Sequence, residues 1–263
     1  MLDTFRPAGW EPPAWTRRIG AVVKLQTPSL DLLQELATRL DPQKTLLVCP
    51  KWRTHGYDVM YPDYTPSEDF VRFAREARRL GFRTMVHFST FGCSPNHPLY
   101  EELESWAVTD RTGTVHGWHM DAPSNPQHHV NIHPASETYR AAVVKAAREL
   151  VDALPVDALH LDVSMLLVNT FQGQRNGLTL GEAKQRLFRE LAAALPGIAF
   201  GGEELNESCV ATLSFAQRTP FHDARRAPHP VDAFLFTPNT RYYSHYSRTV
   251  AAGDSNSVAA DFV

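Results

Sequence analysis

The sequence predicts an α/β fold, a parallel barrel of the TIM (β/α)8 type that runs short at its C-terminal end. Three observations predict it. Strand-length apolar runs alternate with segments of helical period along the 263 residues, as in βαβ units around a parallel sheet. Capping signals open several of the helical segments. Polar side chains interrupt successive apolar runs at their C-terminal ends, where barrel active sites are built.

In chain order, Ile19 to Leu25 reads as the first strand. Thr27-Pro28-Ser29 precedes a helix with Leu32, Leu33, Leu36 and Leu40 at helical spacing, and Thr45 to Cys49 reads as the second strand. Thr65-Pro66-Ser67-Glu68 combines a capping-box pattern with an early proline, and Phe70, Phe73, Ala74, Ala77 and Leu80 form the buried stripe that follows. Gly81 stops this helix, and Phe82 to Phe88 is the third strand. After a long irregular stretch, a helix from Pro134 carries Ala142, Val143, Ala146, Leu150 and Val151 on one face, and Val156 to Val163 is the fourth strand. Thr179-Leu180-Gly181-Glu182 is a second capping box, heading a helix through Leu187, Leu191 and Leu195, and Gly197 to Gly202 is the fifth strand. Val210 to Phe215 then reads as helical and Val231 to Phe236 as a sixth strand. Six units are readable, two fewer than a closed eightfold barrel needs.

No repeat or low-complexity linker divides the chain, and 43% hydrophobic content suffices for one core, so residues 1–263 are expected to form a single barrel domain. A net charge of -3 gives no basic field for a nucleic acid. The apolar runs fall short of the roughly 20 residues of a membrane span. The opening residues MLDTFRPAGWEPPAW do not form a secretory leader, so the expectation is a soluble protein, cytoplasmic or secreted with its leader already removed. Cys49, Cys93 and Cys209 are far apart and odd in number, which points to free buried thiols.

Strands covered on both faces should be apolar throughout, so polar residues within them need a reason. Here they stand at successive strand ends: Lys51 after the second, His87 and Ser89 at the third, His160 and Asp162 at the fourth, Glu203 and Glu204 at the fifth. Alternation places His160, Asp162 and Ser164 on one face and Leu159 and Leu161 on the other. The same parity leaves Ala199, Gly201 and Glu203 for the barrel interior and favours Glu203 over Glu204, unless the Gly201-Gly202 pair bulges. Carboxylates at the ends of adjacent strands, about 4.8 Å apart, can approach the ~5–5.5 Å separation of a retaining glycosidase pair. Asp162 is then the candidate nucleophile and Glu203 the candidate acid/base, with His87 and His160 beside them.

These residues resemble the retaining α-glycosidase barrels of the α-amylase superfamily and its relatives, the endo-α-N-acetylgalactosaminidases. The matching features are Tyr61-Pro62-Asp63-Tyr64, His87, Asn131-Ile132-His133-Pro134, His160-Leu161-Asp162 and Gly202-Glu203, within residues 45–245. The resemblance implies a strand-four nucleophile at Asp162 and a strand-five acid/base at Glu203. His160 stands where amylases carry arginine, and their third acid has no good counterpart, Asp223 fitting poorly by order.

Aromatic rings stack on the C–H faces of sugars, so Trp52, Tyr57, Tyr61 and Tyr64, then Trp106 and Trp118 with His116 and His119, and Tyr242, Tyr243 and His245 are candidate subsite residues. Asn131 and Glu204 complete the predicted carbohydrate-binding set. The stretch from Thr109 to Ile132 is too long for an idle connection and reads as a substrate loop or lid. Its histidines (His116, His119, His128, His129, with His133 beyond) show no zinc-motif spacing, so no metal and no cofactor are expected. The rival readings are a metal-dependent hydrolase with His87, His160 and Asp162 as ligands, and a non-catalytic carbohydrate-binding barrel.

Overall fold

The structure is a computed structural model and describes residues 11–122, 125–165, 170–206, 208–218, 236–237 and 240–244. Its frame is a seven-stranded, wholly parallel sheet that curls into a nearly closed, incomplete TIM-type barrel. In chain order the strands of this sheet are β1 (Ala21–Lys24), β2 (Thr45–Cys49), β3 (Arg83–Ser89), β7 (Ala158–Asp162), β8 (Ala199–Glu203), β9 (Phe215–Arg218) and β10 (Arg241–Ser244), which is also their order around the barrel. The stretch after β3 builds a second, antiparallel sheet, β4 (Gly92–Cys93), β5 (Gly117–Ala122) and β6 (Asn125–Asn131), with β6 in the middle. The helices α1 (Leu30–Arg39), α2 (Glu68–Leu80), α3 (Tyr100–Leu103), α4 (Glu137–Ala153) and α5 (Leu180–Ala194) connect these elements.

Local chemistry accounts for the boundaries. Ser67 caps α2 by accepting from the Phe70 amide, while Thr65 bonds back to Asp63. Gly81 ends α2 at φ 97°, a left-handed conformation that glycine adopts without a Cβ clash. Both halves of the Thr179–Glu182 capping box form at the head of α5.

Alternation sorts the strand residues as expected. Leu159, Leu161 and Phe200 bury themselves in the helix-facing layer, each removal of such a side chain from water contributing about 1.5–3 kcal/mol. Leu46, Val48, Met85, Ala158, Ala199 and Phe215 fill the barrel floor. Gly201 leaves room there for Met85, whose Sδ would lie 2.5 Å from an added Cβ. At the N-terminal end Asp157 accepts from Arg83 Nη1 at 2.7 Å and from the Thr84 amide at 3.0 Å, tying the start of β7 to β3.

Two expectations need correction, and two strands escaped the sequence reading. Residues 208–212 form turns, and Phe215 opens β9, so 210–215 is not a helix. The strands FAQR and RYYS of β9 and β10 are short and polar, so neither shows as an apolar run. The long stretch after β3 is a β-sheet, whose hairpin pairs Trp118 with His129 and His119 with His128. The strand expected over 231–236 lies outside the described residues except at Phe236, which is not in a strand. Cys49, Cys93 and Cys209 are buried free thiols. No helix among the described residues is long and apolar enough to cross a membrane.

Candidate active site

Asp162 ends β7 and Glu203 ends β8. The pairing of His160 with Gly201 and Leu161 with Gly202 brings the two acids to neighbouring positions at the C-terminal rim. The chain then turns sharply. Val163 sits at φ 57° and Glu204 at φ 56°, left-handed conformations that cost a non-glycine residue of order 1–3 kcal/mol, most for a β-branched one. The turn at Val163 aims its amide at Glu203 Oε2, 3.2 Å away, and Ser164 Oγ donates to the Glu203 carbonyl at 3.0 Å. Gly202 makes this approach possible, because a Cβ there would come within 2.5 Å of Ser164 Oγ.

Beneath the acids lies a layer of histidines. His87 Nε2 is 3.3 Å from Asp162 Oδ1, and the His87 and His160 rings are 5.9 Å apart between centroids. His160 Nδ1 lies 2.8 Å from the Tyr243 hydroxyl, across the barrel on β10. Tyr57 packs against His87 at 4.9 Å, and the Tyr61 hydroxyl approaches His87 Nδ1 at 3.4 Å.

The two acids are driven apart electrostatically. Burial raises the Glu203 pKa, the neighbouring Asp162 charge raises it further, and the carboxyl is pushed up to about 7 against the opposing pull of the Val163 amide and His87. Burial acts on Asp162 in the same upward sense, but His87, His160 and Arg53 outweigh it and hold Asp162 below the ordinary carboxylate range. Such a pair supplies one proton donor and one persistent anion near neutral pH.

The other predicted residues divide. Trp52 is a core residue, 2% exposed, stacked on Tyr64 and tilted against Phe70, with its indole N–H on the His87 carbonyl. Tyr61 is buried and its hydroxyl donates to Asp58. Trp118 reaches the same carboxylate, Nε1 to Asp58 Oδ2 at 3.4 Å, and lies so close over β4 that Gly92 has no room for a Cβ. Asn131 is buried against His116 at 2.7 Å. Lys51 is exposed, and the structure does not bring it to the acids. Glu204 is turned off the interior parity by its left-handed backbone, its amide bonding the Gln217 carbonyl at 2.7 Å. On β10 it is Tyr243, not Tyr242, that shares the interior face, because the two alternate. His119 lies in β5, with its side chain outside the described residues, as are His245 and Asp223.

Sequence reasoning missed Lys24, Arg53 and Asp58. Lys24 follows Val22 by strand parity into the barrel mouth; burial lowers its pKa, and the charges of Asp162 and Glu203 oppose that. A lysine breaking the run Ala21-Val22-Val23 was the available signal. Arg53 is 5% exposed, stacks on the Tyr61 ring at 4.4 Å and donates to its hydroxyl at 3.1 Å; nothing in its sequence context marks it. Asp58, His87 and Asp162 each offer a metal-ligand atom within 4.8 Å of the others. Both Asp58 oxygens, however, already accept, one from Tyr61 and one from Trp118.

A family model described as "Domain of unknown function (DUF6259)" matches residues 6–174. Among curated proteins none matches the chain by sequence. Among solved structures, the chain is similar to the α-N-acetylgalactosaminidase NagBb from Bifidobacterium bifidum in complex with GalNAc, at TM-score 0.65 and 16% identity over 91% of this chain and 44% of that one. It is similar to the GH36 α-galactosidase AgaA from Geobacillus stearothermophilus, at TM-score 0.57 and 11% identity over 81% of this chain and 32% of that one. The trehalose-6-phosphate hydrolase TreA from Bacillus licheniformis gives TM-score 0.54 and 13% identity over 78% of this chain and 49% of that one. The likeness is one of fold, and the chain spans less than half the length of these proteins.

Proposed function

The chain belongs to the DUF6259 family, and we propose that it is a retaining glycoside hydrolase of α-linked O-glycosides, a single barrel domain akin to the α-amylase and endo-α-N-acetylgalactosaminidase superfamily. The observation that carries this reading is the pair of neighbouring strand-end acids with divergent proton affinities, Asp162 held low and Glu203 pushed up to about 7. The three glycosidases of similar fold agree with it.

In the first step an Asp162 oxygen attacks the anomeric carbon as the bond to the leaving oxygen breaks. Glu203 transfers its proton to that oxygen. In the second, water attacks the same carbon, its proton returns to Glu203, and Asp162 leaves as a carboxylate. His87, 3.3 Å from Asp162 Oδ1, orients the nucleophile from below, and Lys24 faces both acids from across the mouth. Tyr57, packed on His87 at 4.9 Å, is the aromatic ring we place beside the bound sugar.

The competing reading is a metal centre on Asp58, His87 and Asp162, favoured by their mutual reach. Asp58's committed hydrogen bonds favour the glycosidase instead. A screen of aryl α- and β-glycosides, with product anomers followed by NMR, tests the reading: an α-glycoside should be cleaved and the α-anomer should appear first. First appearance of the β-anomer from an α-glycoside, or no turnover together with stoichiometric bound zinc by elemental analysis, would contradict it.

A further inference from the structure

Lys184 is a buried lysine that the mechanism above does not use, and burial pulls its pKa down to about 7. It stands on the inward stripe of α5 with Leu180, Ala183, Leu187, Phe188 and Leu191, and is itself fully buried. A packing residue at that position would be apolar, since an ammonium taken out of water must be compensated by hydrogen bonds. Its compensation comes from the turn that follows the nucleophile. Nζ donates to the carbonyls of Val163 and of Ser164, the latter at 3.2 Å, and lies 4.8 Å from the Phe91 ring centre.

Val163 is the residue that this clamp restrains. A β-branched side chain at φ 57° persists only where its surroundings over-determine it. Lys184 holds the carbonyls on the far side of the turn, Thr90 Oγ1 holds the Asp162 carbonyl at 3.1 Å, and Ser164 Oγ pins the turn to β8. The product of this arrangement is one contact, the Val163 N–H on Glu203 Oε2. An amide can only donate, so Oε2 serves it as acceptor, and the proton of the neutral acid is left to Oε1.

We propose that Lys184 is a positioning residue for the acid/base, a role resting on the glycosidase reading: its Nζ, donating to the Val163 and Ser164 carbonyls, holds the left-handed turn that delivers the Val163 N–H to Glu203. The carboxyl is thereby fixed in rotation, with Oε1 as the oxygen that gives and takes the catalytic proton.

The test is Lys184→Met, alone and combined with Val163→Gly, because glycine adopts φ > 0 without a clamp. Lys184→Met should lower kcat/KM for alkyl glycosides roughly 10- to 100-fold, but less than about threefold for dinitrophenyl glycosides, whose leaving group needs little protonation. Adding Val163→Gly should restore most of the alkyl-glycoside rate. Equal losses on both substrate classes, or no recovery with glycine, would make Lys184 a packing residue and overturn the proposal. Melting temperatures of wild type, Lys184→Met, Val163→Gly and the double variant give a readout independent of turnover. Lys184→Met should be much less destabilising in the glycine background, or should fold only there. An equal destabilisation in both backgrounds, or failure to fold in both, would overturn the clamp. A wild-type protein that turns over no glycoside would sink the functional reading, while this thermal cycle would still decide whether the lysine holds the turn.

Discussion

Asp157 and Asp162 stand at the two ends of one strand, and the fold treats them oppositely. Asp157, at the bottom of the barrel, bonds Arg83 and the Thr84 amide, so its charge is matched where it sits. Asp162, at the top, has an imidazole at 3.3 Å and a second carboxyl as its strand neighbour. One charge ties strands together; the other is placed where its full reactivity is kept. In a parallel barrel this polarity is general, since stability is built at the N-terminal face and chemistry at the C-terminal face.

The sharpest way to break this comparison is to remove each aspartate. Asp162→Ala should abolish turnover of every glycoside without lowering the melting temperature, because no group remains to form the covalent intermediate. Asp157→Ala should keep turnover and lose about 1–3 kcal/mol, chiefly through the orphaned Thr84 amide, because the Arg83 partner is partly exposed. Activity assays beside thermal melts check both, and a catalytic loss at Asp157 equal to that at Asp162 would erase the distinction.

Glu203→Ala should show a smaller, substrate-dependent loss. Glycosylation by a dinitrophenyl glycoside should survive and deglycosylation should stall, so that azide, attacking the glycosyl-enzyme directly, restores turnover. The same behaviour in Glu204→Ala, with Glu203→Ala fully active, would mean that Glu204 is the acid/base.

The pH profile sharpens the contrast further. Glu203 must be protonated to act as acid, so kcat/KM for alkyl glycosides should fall as pH rises through about 7, and the limb should vanish in Glu203→Gln along with the activity that needs the proton. Loss on the acid side requires protonating Asp162 and should come only below the ordinary carboxylate range.

The smallest effect is on stability. Since folding raises the Glu203 pKa from 4.5 to about 7, the folded state prefers the protonated carboxyl. Its contribution is complete below 4.5 and is lost as pH rises through about 7. Glu203→Gln, permanently neutral, should therefore gain melting temperature over wild type between pH 5 and pH 8, by a few degrees. An unchanged difference across that range would mean that Glu203 is not held protonated.

The strand-end acids were legible in the sequence because parity is a local rule. His160-Leu161-Asp162 states its two faces within three residues, and an apolar run that ends in acid has few structural explanations. The same rule separates Tyr243 from Tyr242 once β10 is recognised, but RYYS has too little apolar character to announce a strand. Arg53 and Asp58 were illegible for another reason. They lie in an irregular loop with no period to read, where Tyr61 bonds Asp58 and lies under Arg53, and the remaining Asp58 partner, Trp118, comes from a distant strand. Lys184 sits between these cases: its place on the apolar stripe of α5 marks it as buried, while its partners, the Val163 and Ser164 carbonyls, belong to a turn that only the fold brings near.

The central claim is that Asp162 forms a covalent bond to the sugar, and trapping that bond tests it most directly. A glycosyl fluoride bearing fluorine at C2, of the sugar identified in the aryl-glycoside screen, slows both steps through its electron-poor oxocarbenium-like transition states, while the good fluoride leaving group lets the intermediate accumulate. Mass spectrometry of the proteolysed protein should find the fluoroglycosyl mass on the peptide carrying Asp162 and on no other. A label on Glu203 or Glu204, or no label from a substrate that is turned over with inversion, would contradict the account.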